Sequence, residues 1–432
     1  MMRHIWGLGC LIFGVASVAW AADSPATAEQ VQALLARIEQ LEKRVAQLEA
    51  GENNGGAPAP SAAGQTTAPV PKAPPAPVLE PQTTMTHEQQ MRMGESTQAP
   101  FASPLLRLSG FGDIDFSATD QRGVKSGFNE GQFVLHTSST LSPHVSVFSE
   151  LSLTARADAG LGSPPATGFN AEVERLFIRF DQSDAFKASF GRYHTPINYW
   201  NTAFHHGAWL QTTISRPEMV QFGGSFIPVH FVGGLLEGEA PTGGLHLNYD
   251  VGIGNGRGAV LSRAGDAGDI NNNRAWLVNI FAKPDKLFGL EVGGSAYRDK
   301  ITVGGAAFDE WITAGHIVWH KENPELIAEI ANVNHSQVGR PGDSNSLAYY
   351  VQFAYRLPGF AQLWKPYYRW EYIHIPQSDI LFVPRVSGLA GSTVGVRYDI
   401  TSFAAFKVEY RNQRRPGLPR INGAFAQTSF TF

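Results

Sequence analysis

Several features that would place this chain in a common class are absent from its sequence. The 432 residues include one cysteine, Cys10, and beyond the N-terminus we find no apolar run long enough for a transmembrane helix. The formal net charge is −4, which excludes an overall basic nucleic-acid-binding protein. Because Cys10 lies within an expected leader peptide, we expect no disulfide or thiol chemistry in the mature chain.

The N-terminus has the pattern of a secretory signal peptide. Arg3 and His4 precede an apolar core, and the Ala-Trp-Ala run that ends at Ala21 fits a small-x-small cleavage site. We therefore expect residues 1–21 to be removed on export.

Residues 22–50 contain a heptad pattern. Apolar residues recur at alternating steps of three and four: Val31, Leu34, Ile38, Leu41, Val45 and Leu48. The pattern predicts a short α-helical coiled coil that joins chains into an oligomer. β-Branched residues at position a with Leu at position d favour a dimer, while Leu35 at position e also permits a trimer.

Residues 51–103 form a tract rich in Pro, Ala, Gly and Thr. Such a composition cannot bury a core, so we expect a disordered or partly polyproline linker between the coiled coil and the next segment.

From residue 104 onward, apolar and polar residues alternate. Leu106 and Leu108 fall on the face opposite Arg107, and Val408 falls opposite Lys407. Charged residues on one face and apolar residues on the other suit water inside and lipid outside. About sixteen such segments predict an all-β fold, a transmembrane antiparallel β-barrel over residues 104–432.

The connections and the last strand agree with a barrel. Short linkers such as SPH and KPDK alternate with long ones such as NGRGAVLSRAGDAGDIN, as between the periplasmic turns and outer loops of outer-membrane barrels. The sequence ends on an alternating segment at Phe432, and a closed barrel would pair that strand with the first. A last strand of a soluble sandwich is the alternative.

The longest connection, residues 195–227, is the predicted pore constriction. Its length and aromatic content favour folding into the lumen, with an outer cap or a trimer contact as alternatives. The expected solute-binding residues are Arg192, His194, Trp200, His205, His206, Trp209 and Arg216. Adjacent histidines normally diverge, so we expect no metal site and no cofactor here.

The predicted lumen wall carries charges of both signs. The basic residues are Arg156, Arg175 and Arg179, and the acidic residues are Asp113, Asp115 and Glu150. They would form either a basic ladder opposite a few carboxylates or an ordinary solvated lumen with balanced charge.

Two motifs and the order of the segments resemble a known family. The signal peptide, coiled coil and linker are followed by LRLSGFGDIDF, and FGRYHTPIN precedes the longest connection. This resembles the outer-membrane porins related to the phosphate-selective porins O and P, which implies a trimeric, substrate-selective channel. One departure concerns the solute: residues 195–227 contain one arginine, Arg216, and no lysine, whereas phosphate selectivity needs clustered cations.

The function predicted from the sequence is a porin, a passive channel for small hydrophilic solutes, either with or without a preference for anions. Its expected partners are outer-membrane lipid, the solute and two further copies of the chain, with possible peptidoglycan contact by the periplasmic N-terminal segment. A barrel enzyme and a structural tether or adhesin are the alternatives, although neither G-x-S-x-G nor H-E-x-x-H occurs.

Overall fold

The computed structural model describes five stretches of the chain: residues 105–156, 168–204, 206–222, 226–263 and 265–432. The signal peptide, coiled coil and linker predicted for residues 1–103 lie outside these stretches.

Sixteen antiparallel strands of the described residues form a closed barrel, in which each strand pairs with its sequence neighbours and the last pairs with the first. The predicted barrel of about sixteen strands is therefore confirmed. The strands are β1 (Leu105–Thr119), β2 (Gly127–Ser142), β3 (Val145–Ala155), β4 (Phe169–Ser183), β5 (Phe186–His194), β6 (His230–Glu239), β7 (Leu247–Asn255), β8 (Ala275–Ala282), β9 (Leu290–Val303), β10 (Ala306–His320), β11 (Glu325–Gln337), β12 (Asp343–Ala354), β13 (Trp364–His374), β14 (Leu389–Thr401), β15 (Ala404–Arg414) and β16 (Ile421–Thr431).

The alternation of the sequence becomes an apolar outer face and a polar lumen. Leu106 is 63% exposed and Ile253 is 61% exposed, both on the outer face, whereas Glu150 and Lys407 point inward and are fully buried. Side chains of a strand alternate between its faces, so one pattern provides both surfaces. An apolar outer face is the one that lipid requires. No helix within the described residues is long and apolar enough to cross a membrane.

Aromatic pairs lie near both ends of the barrel. Trp276 and Trp311 pack edge to face near one end, with ring centroids 5.3 Å apart. Trp364 and Tyr398 lie 4.6 Å apart near the other end. Such pairs are typical of the two interfaces between a bilayer and water, where an aromatic ring meets both apolar and polar surroundings.

The connections at one end of the barrel are short turns, and most of those at the other end are longer loops. The exception among the loops joins β9 to β10 through Gly304 and Gly305 alone, both at positive φ. Two glycines with positive φ form a tight hairpin whose twist suits the strands, which explains the missing loop. The connections also contain helix α1 (Trp200–Ala203) and four single 3-10 turns, Glu218–Val220, Gly243–Leu245, Asp285–Leu287 and Gly359–Ala361.

The seam between β1 and β16 closes the barrel, as the sequence predicts. Gly110 and Phe432 exchange both backbone hydrogen bonds, at 2.9 and 3.1 Å. On the outer face, the rings of Phe430 and Phe432 cover Gly112 and Gly110, where an added Cβ would lie 2.6 Å from each ring. An aromatic ring over a glycine of the neighbouring strand replaces the packing that the glycine lacks.

Replacing Phe430 with Ala removes the ring that covers Gly112 and should lower the free energy of unfolding by about 1 kcal/mol, a typical contribution of a cross-strand pair. The measurement is urea unfolding of the barrel in lipid vesicles, followed by tryptophan fluorescence. Phe353→Ala is the matched control, because Phe353 on β12 is an outer-face phenylalanine that is 46% exposed and pairs with Leu326 and Tyr368 rather than with a glycine. An equal loss in both variants would show that the seam has no special role.

Candidate functional site

The longest described connection, residues 195–229 between β5 and β6, enters the barrel. Its apolar side chains are buried inside the lumen, among them Ile197, Trp200, Phe204 and Val220. The hydrophobic effect favours this placement, because the same side chains would be costly in the bulk water above the barrel. The position of this loop inside the barrel defines the candidate site.

Carboxylates of the wall bind the first part of the loop. The Glu329 carboxylate on β11 accepts hydrogen bonds from the backbone N–H groups of Tyr199 and Trp200, at 3.0 and 2.6 Å. The backbone N–H of Asn198 donates to the Ser295 hydroxyl on β9 at 3.1 Å. The first N–H groups of helix α1 have no partner within the helix, so these contacts satisfy them and fix its position.

Cationic side chains of β13 to β15 bind the middle of the loop. Arg397 donates to the carbonyls of Trp209 and Gln211 at 2.6 and 2.9 Å. Lys407 donates to the Thr213 carbonyl at 3.2 Å. Buried carbonyls require partners, and the wall supplies charged donors, which form the stronger class of hydrogen bond.

A carboxylate between these cations binds the same stretch of backbone. Glu409 accepts from the backbone N–H of Ile214 at 3.0 Å and from the Ser215 hydroxyl at 2.8 Å. Arg369 donates to the Ser215 carbonyl at 2.8 Å. The wall therefore binds the loop both by accepting hydrogen bonds from it and by donating hydrogen bonds to it.

The loop residues predicted to bind solute are mostly packed between loop and wall. Trp200 and Trp209 are buried. Arg216 is only 8% exposed, and its guanidinium lies 3.7 Å from the centroid of the Phe222 ring. His205 lies outside the described residues. The side chains of Trp200, Trp209 and Arg216 therefore contact other residues of the protein and are largely buried.

The predicted wall residues lie on β1, β3 and β4, and their charges are largely paired. Arg175 binds Glu150 at 2.5 Å, and Arg179 binds Asp181 at 2.9 Å. The remaining predicted residues are Asp113 and Asp115 on β1, where Asp115 accepts a hydrogen bond from Gln427, and half-buried Arg156 directly after β3. The arginines of β4 thus belong to ion pairs of balanced charge.

A cluster of histidines lies where the loop meets the wall. His194 on β5 is the direct cross-strand partner of His230 on β6. His206 of the loop lies beside them, and ligand atoms of the three imidazoles lie within 4.8 Å of one another. The Glu174 carboxylate reaches His230 Nε2 at 2.9 Å and His206 Nε2 at 3.3 Å. The sequence analysis found His194 and His206 and missed His230 and Glu174.

Arg192, the other predicted residue of this region, lies at the edge of the cluster. Its guanidinium contacts Glu172 at 2.9 Å and Asp266 at 2.7 Å, and it reaches Nδ1 of His230 at 3.2 Å. It is therefore held by carboxylates from two different segments.

A cavity of about 600 Å³ lies beside the loop, along β4 to β9 and toward the short turns. Tyr199, Thr202 and Ala203 of the loop form part of its wall. Its charged lining is nearly balanced, with Arg175, Arg179, Lys187, Lys283 and Lys321 against Asp184, Glu237, Glu239, Asp250, Asp285 and Glu291. The cavity can therefore hold small polar molecules and favours neither sign of charge.

A second inward loop, residues 375–388, packs on the end of the first. Phe382 is fully buried and its ring lies 5.5 Å from that of Phe226. Asp379 accepts hydrogen bonds from His335 at 3.0 Å, from the Ser346 hydroxyl at 2.7 Å and from the backbone N–H of Phe382 at 2.9 Å. This carboxylate fixes the second loop against β11 and β12.

Comparison with known proteins gives matches in structure alone. No family model and no curated protein sequence matches the chain. The anion-selective porin from Comamonas acidovorans has a TM-score of 0.55 at 12% identity over 76% of this chain and all of that one. The outer-membrane channel DcaP of Acinetobacter baumannii gives 0.53 at 11% identity over 78% of this chain and all of that one.

A third solved structure is the trimer form of OmpT, an outer-membrane protein of Vibrio cholerae. It has a TM-score of 0.52 at 12% identity over 77% of this chain and 100% of that chain. At such identities the likeness establishes the fold, which is that of outer-membrane porins and channels. The resemblance to the phosphate-selective group stays a prediction.

Replacing Asp379 with Asn should lower the free energy of unfolding at pH 7 by about 1–3 kcal/mol, the cost of leaving buried donors poorly paired. Burial raises the pKa of the Asp379 carboxyl, but hydrogen bonds, first of all from His335, outweigh it and hold the pKa below the usual 3.8. A depressed pKa contributes stability that is fully present above pH 3.8 and is lost as the pH falls through the folded-state value.

The two proteins should therefore differ at pH 7, and the difference should shrink as the pH falls below 3.8 through the folded-state pKa of Asp379. The measurement is the free energy of unfolding at pH 7 and at a series of pH values below 3.8. Asp184→Asn is the matched control, since that carboxylate is 95% exposed in a short turn. A difference between wild type and Asp379→Asn that does not change with pH would contradict a role for the ionised carboxylate.

Proposed function

We propose that this protein is an outer-membrane porin, a passive diffusion channel for small hydrophilic solutes. The observation that carries the proposal is a closed sixteen-stranded barrel whose apolar outer face surrounds a polar lumen, with one loop bound across that lumen beside a cavity. Sixteen strands enclose a lumen wide enough for water, and a bound loop narrows it. The similar solved barrels include a porin and an outer-membrane channel.

The constriction is proposed to lie between helix α1 and the wall of β4 to β9. Tyr199, Thr202 and Ala203 line the cavity from the loop side. Because Glu329 fixes the first turn of this helix, these side chains have a defined position relative to the wall. Their size would then limit the cross-section available to a solute.

The selectivity is proposed to be weak along most of the cavity. Basic and acidic side chains are nearly balanced there, so neither sign of ion is strongly favoured. The predicted anion preference would then need cations outside this lining, because Arg175, at the end of the cavity away from the short turns, is itself paired with Glu150. Clustered cations suited to phosphate are not part of this proposal.

The proposed location is the bacterial outer membrane, with the short turns and the N-terminal segment in the periplasm. A homotrimer is proposed from the sequence resemblance and from the trimer form of the similar OmpT barrel. The coiled coil would hold the trimer together and could contact peptidoglycan. The proposed role is transport, with no catalytic step.

Conductance across a planar lipid bilayer tests the proposal. Purified, folded protein should give stepwise current increases, and the reversal potential in a salt gradient should measure ion preference. A folded barrel that inserts without conducting would refute the channel function and leave the tether alternative.

Replacing Thr202 with Trp should reduce single-channel conductance, because a larger side chain on the loop face narrows the cavity. We expect a loss of about half the conductance, since current falls with pore cross-section. Thr428→Trp is the matched control, because Thr428 pairs with outward-facing Ile114 and lies on the outer face. If both variants conduct like the wild type, the passage lies elsewhere.

A further inference from the structure

We propose that the histidine cluster between the loop and the wall is a binding site for a divalent transition-metal ion such as Zn²⁺. The ligands would be His194, His206, His230 and Glu174. The proposal rests on the geometry of these side chains and is independent of the channel function.

The three imidazoles come from two rigid strands and one bound loop. His194 and His230 are direct partners on β5 and β6, with ring centroids 5.6 Å apart. His206 lies 6.1 Å from His194 by the same measure, and its ring stacks on Phe222 at 4.9 Å. All three imidazoles are buried, so the site is shielded from bulk water.

Glu174 adds a carboxylate beside two of the three imidazoles, and we propose it as the fourth ligand. One of its carboxylate oxygens lies 2.9 Å from His230 Nε2 and the other lies 3.3 Å from His206 Nε2. Three imidazoles and one carboxylate are a donor set that Zn²⁺, Co²⁺, Ni²⁺ and Cu²⁺ favour over Mg²⁺ and Ca²⁺, which prefer oxygen alone.

The distances are close to those that a metal needs. The ligand atoms of the three imidazoles lie within 4.8 Å of one another. With metal–nitrogen distances of about 2.1 Å, tetrahedral geometry places neighbouring ligand atoms roughly 3.4 Å apart. A contraction of up to about 1.4 Å is required, and His206, which the loop carries, is the ligand best able to supply it.

The outer partner of His206 suits coordination through Nε2, whereas the outer partner of His230 would have to move. Nδ1 of His206 lies 3.2 Å from the Gln132 amide oxygen, to which it can donate, leaving Nε2 directed at Glu174. Nδ1 of His230 faces the Arg192 guanidinium at 3.2 Å. A guanidinium can only donate, so Nδ1 of His230 accepts in this contact. Metal at Nε2 would place a proton on Nδ1, so the contact with Arg192 would have to open while Arg192 retains Glu172 and Asp266.

The charges around the site tolerate a cation. A second carboxylate, Glu150, lies 3.6 Å from His194 Nε2 and is paired with Arg175. Glu172 and Asp266 offset Arg192 in the same way. Glu174 would supply a negative charge to the bound ion from beside His206 and His230, while one of its oxygens accepts a hydrogen bond from the Ser152 hydroxyl at 2.7 Å and the other lies 3.8 Å from Arg192.

A metal at this position would bond the loop to the wall. His206 belongs to the loop, whereas Glu174, His194 and His230 belong to β4, β5 and β6. The ion would therefore stabilise the inward position of the loop as well as the folded barrel.

The experiment measures Zn²⁺ binding to the folded mature protein, purified without an affinity tag. After equilibration with Zn²⁺ and removal of the excess, metal analysis should give one ion per chain, and the temperature of unfolding should rise with Zn²⁺ concentration. X-ray absorption at the zinc edge should show three imidazoles, and added Co²⁺ should give visible absorption bands. These readouts do not require channel activity, so they separate this proposal from the porin proposal.

His206→Gln and His230→Gln should each weaken the binding of Zn²⁺ by at least about 10–100-fold. His374→Gln is the matched control and should bind like the wild type, because His374 is exposed at the end of β13. Heat-modifiable migration establishes that each variant is folded.

Full retention of binding in both folded variants, or a folded wild type without stoichiometric zinc, would overturn the proposal. If neither variant folds, the number of imidazoles seen by X-ray absorption on the wild type decides. A count below three would also overturn it.

Discussion

The backbone of loop 195–229 runs through the interior of the barrel, where much of it loses contact with bulk water. Every buried N–H and C=O group then needs a partner, and an unsatisfied group costs about 1–3 kcal/mol. The described parts of the loop, residues 195–204, 206–222 and 226–229, contain helix α1 and one 3-10 turn as their regular structure. Some partners lie within the loop, as where the Leu210 N–H donates to the Gly207 carbonyl. Other partners come from side chains on the inward faces of the strands.

The wall meets this requirement with long charged side chains. Arg369, Arg397 and Lys407 reach loop carbonyls, while Glu329 and Glu409 reach loop N–H groups. A buried charge is costly unless it is paired and hydrogen-bonded, and here each of these side chains has such contacts. The lumen is consequently polar even where the loop leaves little room for water.

Much of the architecture could be predicted from the sequence because a strand has a short repeat. Leu106, Leu108, Val408 and Lys407 lie on the faces that alternation predicts, and strict alternation fixes the register against a lipid-facing surface. The hairpin at Gly304 and Gly305 breaks the rule of long outer loops, since two glycines suffice there. The turn-forming glycines at this connection thus replace the long loop that the alternation of short turns and long loops predicts.

The histidine cluster could not be predicted, because its members are brought together by pairing across a long loop. His194 and His230 are neighbours only through the register of β5 with β6, and the sequence between them does not reveal that register. His206 joins them because of the path of the loop through the lumen. One available signal was their position: His194 ends one strand and His230 begins the next, at the two ends of the same connection.

The contacts divide the interior into two sides with different tasks. On β11 to β15, charged side chains bind the loop backbone through Glu329, Arg369, Arg397, Lys407 and Glu409. On β4 to β9, charged side chains line the cavity. Substitutions on β11 to β15 would change the position of the loop. Substitutions on β4 to β9 would change how the cavity admits the solute. The loop touches this second side at His206, which lies 3.3 Å from Glu174 on β4, and at Asn198, which donates to Ser295 on β9. The two effects become coupled at these residues.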